Sequence, residues 1–142
     1  MAINASKVVV AGLAAGLVAN VVGFVAFGLL LGSRLEAEAV AVAPALAGQG
    51  MSGGSIAANV ISSFVVGMLL VWLYAAMRPR FGPGPKTAVY AALVVWICGF
   101  LFRLDWLLVG MMTPGTYAAA SVAGMVQVLT AAWVGGMLYK EA

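Results

Sequence analysis

Val8 to Leu31 reads VVVAGLAAGLVANVVGFVAFGLLL, an unbroken apolar run of 24 residues whose one strongly polar side chain is Asn20. A helix rises about 1.5 Å per residue, so about 20 such residues cross the hydrocarbon of a bilayer. Lys7 precedes the run and alanine-rich sequence follows it near Ala37 to Ala43, as in a secretory leader. The apolar stretch of a leader, however, is only about 7 to 15 residues long. The run is therefore read as a retained span.

Working outward, three more segments have spanning length: Ile56 to Met77, about Thr87 to Gly110, and about Tyr117 to Tyr139. The sequence thus predicts an all-α, membrane-spanning four-helix bundle over residues 1–142, with spans at 8–31, 56–77, 87–110 and 117–139. Composition agrees. Of the 142 residues 65% are hydrophobic and 8% charged, against about 25% charged in an ordinary soluble domain. Mean hydropathy is +1.13. So few charges cannot solvate a globular surface, and the solvent for most of this chain must be lipid.

The connections differ in character. Residues 32–55 form a long loop in which Leu35 to Ala47, rich in Ala, Val and Glu, is expected to make a short surface helix that Pro44 bends or ends. Residues 78–86 read RPRFGPGPK, with three prolines that fix φ repeatedly, and are expected to be a stiff basic turn. Lys7, Arg78, Arg80, Lys86 and Lys140 all fall on one side of the four spans, whereas the other side has Arg34 alone. This bias orients the bundle up-down-up-down with both termini cytoplasmic. Arg78, Arg80 and Lys86 become candidate contacts for anionic lipid. Trp72, Tyr74, Tyr90, Trp133 and Tyr139 lie toward the same interface, with Trp106 and Tyr117 toward the other.

Polar residues inside the spans are the candidate contact points. Gly12 and Gly16 form a GxxxG with Asn20 one turn on and Gly23 on nearly the same face, a stripe that permits close helix approach. Asn59, Ser63 and Gly67 recur every four residues, with Ser62 adjacent. Asn20 and Gln127 both lie about 15 Å below the ends of their spans, so these amides are expected to bond to each other or to nearby backbone and to set spans one and four side by side. In span four, Gly124, Val128, Ala131 and Gly135 make a smooth packing face. Arg103 and Asp105 are the only ionisable residues inside an apolar segment. They lie about 10 and 8 Å from the span's end, shallow enough for the arginine to snorkel outward, and about 200° apart on the helix, so they should not pair with each other. Each needs water, headgroups, the Ser62 and Ser63 hydroxyls or another polypeptide as partner.

Several chemistries are disfavoured. The chain has no histidine and one cysteine, Cys98, so imidazole ligation and paired-thiol chemistry lack their groups, and no catalytic constellation or metal site can be assembled from the spans. The net charge of +3 sits at helix ends, not on a solvated patch, which argues against nucleic acid. Three stretches, KVVVAGLAAG (Lys7–Gly16), WLYAAMRPRFGPGPKTA (Trp72–Ala88) and AWVGGMLYKE (Ala132–Glu141), resemble an uncharacterised group of small four-span bacterial membrane proteins. That resemblance implies topology and a bacterial inner membrane, and carries over no functional residue. The expected function is a non-catalytic accessory or scaffold subunit of a larger membrane complex, of a photosynthetic or respiratory kind, without a cofactor. A small homo-oligomeric channel or transporter lined by Asn20, Asn59, Ser63, Arg103 and Gln127 is the alternative, and a pigment-, quinone- or lipid-binding module is a third.

Overall fold

A computed structural model of the chain describes residues 3–139, which places Lys140 outside the described residues. Five α-helices and no strands occur among them: α1 (Ala5–Gly23), α2 (Gly32–Val42), α3 (Gly53–Phe81), α4 (Pro85–Leu108) and α5 (Pro114–Leu138). A π-helical stretch, Phe24–Leu30, prolongs α1, and a single 3-10 turn, Pro44–Leu46, follows α2. Four helices are long and apolar enough to cross a membrane, at 26, 29, 24 and 25 residues, α1 being counted with its π stretch.

The ends of the helices follow local rules. Asn4, Ser52 and Thr113 cap α1, α3 and α5 by accepting backbone N–H bonds from Lys7, Ser55 and Thr116. Pro85 and Pro114 stand in first turns, where a missing N–H costs nothing. Two boundaries differ from the sequence reading. The surface helix begins at Gly32, directly after the π stretch, and ends at Val42, ahead of Pro44. The turn expected over 78–86 is confined to residues 82–84, because α3 continues through Pro79 to Phe81. A proline so near a helix end removes only one internal bond. The reversal itself is made by Gly82 and Gly84, at φ 80° and 130°, conformations that side chains resist.

The packing is small inside and large outside. Ala11, Ala15, Ala19, Ala91, Ala92, Ala131 and Ala132 fill the core with Leu70 and Val71, while Phe102 is 78% exposed and Leu30 71%. In water this arrangement would forfeit the hydrophobic effect; in hydrocarbon nothing drives large side chains inward, and close backbone packing decides the core. The closest approach is between α1 and α3. Gly12 faces Met68, Gly16 faces Phe64, and Gly67 lies against the backbone of Gly12 and Gly16, so that positions rise along one helix as they fall along the other. On α5, Gly135 rests on Ala11, Ala15 and Val71, and Gly136 on Ala88 and Tyr74. The helices form a ring in which α1 touches α3 and α5, and α4 touches α5 and α3, with α3 and α5 also meeting across it.

One end of the ring is locked by two tyrosines. Tyr74 and Tyr139 meet edge to face at 6.2 Å between centroids; the Tyr74 hydroxyl accepts from Gly84 N at 3.1 Å and the Tyr139 hydroxyl from Asn4 N at 3.3 Å. The start of α1, the 82–84 turn and the end of α5 therefore meet at this hairpin end. At the opposite end α2 is clasped to the start of α5 through Glu38 and Thr113. Gly67→Ala is expected to cost about 1–3 kcal/mol, since the new methyl would overlap the backbone of α1. Gly99→Ala, with nothing within 4 Å, should be neutral or stabilising by up to about 1 kcal/mol. Unfolding of the detergent-solubilised protein in sodium dodecyl sulfate measures both; equal stability of the two variants would contradict the α1–α3 contact.

Candidate functional site

The two halves of the ring are finished differently. At the hairpin end α3 and α4 join, with Phe81 against Tyr90 at 5.3 Å and the Thr87 hydroxyl on Gly82 O at 2.6 Å. In the other half every residue of α3 from Gly53 to Ser62 is exposed, and on α4 so are Ile97, Cys98, Gly99, Leu101 and Phe102. There α3 follows α1 and α4 follows α5, the latter pinned by Trp96 Nε1 on Ser121 O at 2.8 Å and the Tyr117 hydroxyl on Phe100 O at 3.1 Å. The result is a bundle closed at one end and open between α3 and α4 at the other.

Most of the polar residues singled out in the spans gather along this open half. Asn20 Nδ2 donates to Gly16 O at 3.0 Å and to Val60 O on α3 at 3.3 Å. Gln127 Nε2 donates to Ala19 O at 2.8 Å, crossing from α5 to α1 and filling the space above Gly23. The two amides thus choose backbone over each other, and α1 and α5 do lie side by side. Asn59 bonds Ser55 O at 3.3 Å, and Ser62 and Ser63 bond Asn59 O at 2.9 and 3.0 Å, all within α3. Each of these side chains places a donor on a carbonyl, which offsets part of the cost of holding it in hydrocarbon.

Arg103 differs. Its half-buried side chain has no hydrogen bond or ion pair among the described residues, and Nη1 lies 3.9 Å from where a Cβ on Gly124 would stand. Gly124 is ten residues into α5, about 15 Å along its axis. The guanidinium therefore points toward the middle of the span, not toward the near end where snorkelling would take it. The cause is the tilt of every Cα–Cβ bond toward its helix N-terminus, which for α4 is the hairpin end. Asp105 is exposed and likewise without a partner among the described residues. Of the three basic residues expected on lipid, Arg80 and Lys86 are exposed, with the Lys86 ammonium 5.9 Å from the Tyr90 ring centre. Arg78 is half-buried and turned onto the Tyr139 ring at 5.6 Å.

One polar contact escaped the sequence reading. Glu38 Oε1 accepts from Thr113 N at 3.0 Å and from the Thr113 hydroxyl, at the N-terminus of α5. An acid facing a Thr-Pro helix start was the available signal, since helix N-termini favour anions. The Thr113 hydroxyl bond, partly offset by desolvation, holds the carboxyl below its ordinary value of 4.5. Beneath this clasp an entirely apolar groove of about 520 Å³ runs between the π stretch and α5, lined by Ala26, Leu30, Ala118 and Val122 among others.

No family model matches the chain, and no curated protein or solved structure is significantly similar to it.

Two outcomes are expected from these contacts. Gln127→Leu should destabilise the detergent-solubilised protein by about 0.6–2 kcal/mol, the range of interhelical bonds in membranes. Because the Glu38 carboxyl titrates lower folded than unfolded, its contribution is fully present above about pH 4.5 and is lost as pH falls through the folded value. A gap in melting temperature between wild type and Glu38→Gln at pH 7 should accordingly close in acid, and a gap that persists undiminished at about pH 3 would refute the clasp.

Proposed function

We propose that this chain is a non-catalytic subunit of a larger membrane assembly, held in a bacterial inner membrane with its hairpin end in the cytoplasm. The observation that carries the reading is the unfinished half of the bundle. Ten successive residues of α3, Gly53 to Ser62, are exposed, and the lines of side chains that form the core at the hairpin end continue here as Asn59, Ser63, Gly99, Arg103 and Gly124. Lipid tails cannot match the packing that small residues and short hydroxyls offer to another helix, and they cannot satisfy a guanidinium. A second polypeptide supplies both.

Topology follows from charge. Lys7, Arg78, Arg80 and Lys86 lie toward the end where Asn4, Gly84 and Tyr139 meet, and the positive-inside rule assigns that end to the cytoplasm. Orientation is tested by labelling with a membrane-impermeant thiol reagent in a Cys98→Ala background. Arg80→Cys should react only from the cytoplasmic side and Gln49→Cys only from the opposite side; reaction of both from one side would overturn the arrangement.

The assembly reading is tested by native mass spectrometry after mild detergent extraction from native membranes. The 14.5 kDa chain should be recovered in a species of defined stoichiometry with other polypeptides. Recovery as a monomer, or as a homo-oligomer alone, would end it. A channel is the second reading, favoured by the inward alignment of Ser63, Gln127 and Arg103 in the open half. Its requirement is ion or solute flux through proteoliposomes that disappears in Arg103→Ala.

A further inference from the structure

Resting on the assembly reading, we infer that Arg103 is the docking point for a carboxylate carried into the open half by a membrane-embedded helix of another polypeptide. The guanidinium has no counter-charge among the described residues. Among the described residues the acids are Glu36 and Glu38, on the surface helix at the far end, and Asp105, which regular helix geometry turns about 200° away. A cation left unpaired in hydrocarbon is costly enough that such residues face a partner or water.

Direction selects among the partners. A lipid phosphate would have to be met at headgroup level, yet the Arg103 guanidinium extends the other way, to Gly124, about 15 Å along α5 from its start. The surroundings fit a helix. Gly99 and Gly124 present no side chain, the Ser63 hydroxyl and one N–H of Gln127 are committed to backbone, and Ile56, Val60 and Ile61 in the first turns of α3 expose 51%, 40% and 63% of their surface. An incoming apolar helix with one Asp or Glu near its middle would cover α3 and offer two oxygens to a planar fork that binds carboxylates bidentately. A smaller anion would neutralise the charge and leave α3 uncovered.

The experiment uses Arg103→Gln and Arg103→Lys expressed in native membranes in place of wild type. Removing one member of a desolvated pair should reduce the assembled fraction of Arg103→Gln by about tenfold or more, while helicity and the Glu38 clasp remain. Arg103→Lys keeps the charge without the bidentate fork and should assemble to an extent between Arg103→Gln and wild type. Treatment of that variant with a membrane-permeant carbodiimide should join the introduced amine to an Asp or Glu in an apolar segment of another polypeptide, read by mass spectrometry of the cross-linked peptide. If wild type is assembled and Arg103→Gln assembles equally well, the inference fails and the assembly reading stands. A cross-link to Asp105, Glu36 or Glu38 of the same sequence, or none at all, also overturns it. Should wild type itself be solitary, both fall together.

Discussion

Gly67 lies against the backbone of α1 between Gly12 and Gly16, where no side chain fits, and the rest of the structure depends on that approach. Hydrocarbon outside the bundle removes the usual reason for burying large apolar groups, so helices associate through close backbone contact and short hydrogen bonds. The α1–α3 contact fixes the relative height of these helices. That register lets Asn20 reach Val60 O, and the α1–α5 contact at Gly135 likewise sets Gln127 opposite Ala19. Large side chains such as Phe24, Phe102 and Trp133 then have no place inside and face outward.

The same principle explains why the fold stops half-finished. Small residues line the hairpin half of every helix: Ala11 and Ala15 on α1, Ala75 on α3, Ala91 and Ala92 on α4, Ala131 and Gly135 on α5. Four helices can converge there. Toward the other end the inward positions become Asn59, Ser63, Trp96, Phe100 and Arg103, and the bulky ones are used pairwise. Trp96 and Phe100 fill the α4–α5 seam beside Tyr117, with ring centres 5.3 and 5.1 Å apart. Those rings bind α4 to α5 and hold it away from α3.

How much of this was legible depended on range. The four long helices follow from apolar run length alone, and the packing role of the glycine stripe in α1 follows from its spacing. The end of α3 lies past the expected start of the turn at Arg78, because a proline in a last turn, such as Pro79, breaks only one bond. The π stretch left no recognisable mark in FVAFGLL. Glu38 and Thr113 are separated by 75 residues and meet only through the tertiary fold. The direction of Arg103 was readable and was overlooked: near a helix C-terminus the Cα–Cβ tilt opposes snorkelling toward that end. Depth was estimated from the backbone, whereas the charge sits at the end of a long side chain.

Glu38 and Arg103 show what the fold leaves undone. Both are charges that one chain of this size must accommodate beside hydrocarbon. The acid meets a helix N-terminus, where a backbone N–H and a capping hydroxyl are already oriented toward its Oε1, while Oε2 is buried without a hydrogen bond. The arginine has no such contact among the described residues, and the helix carbonyls that take a second, side-chain donor close to it, Phe100 O and Ser121 O, take it from Tyr117 and Trp96. The amides and hydroxyls of the spans, at Asn20, Asn59, Ser62, Ser63 and Gln127, each direct a donor to a backbone carbonyl. Self-satisfied polar groups add little to indiscriminate association in the membrane. Among the described residues of the spans, Arg103 is the half-buried charged group left without such a contact.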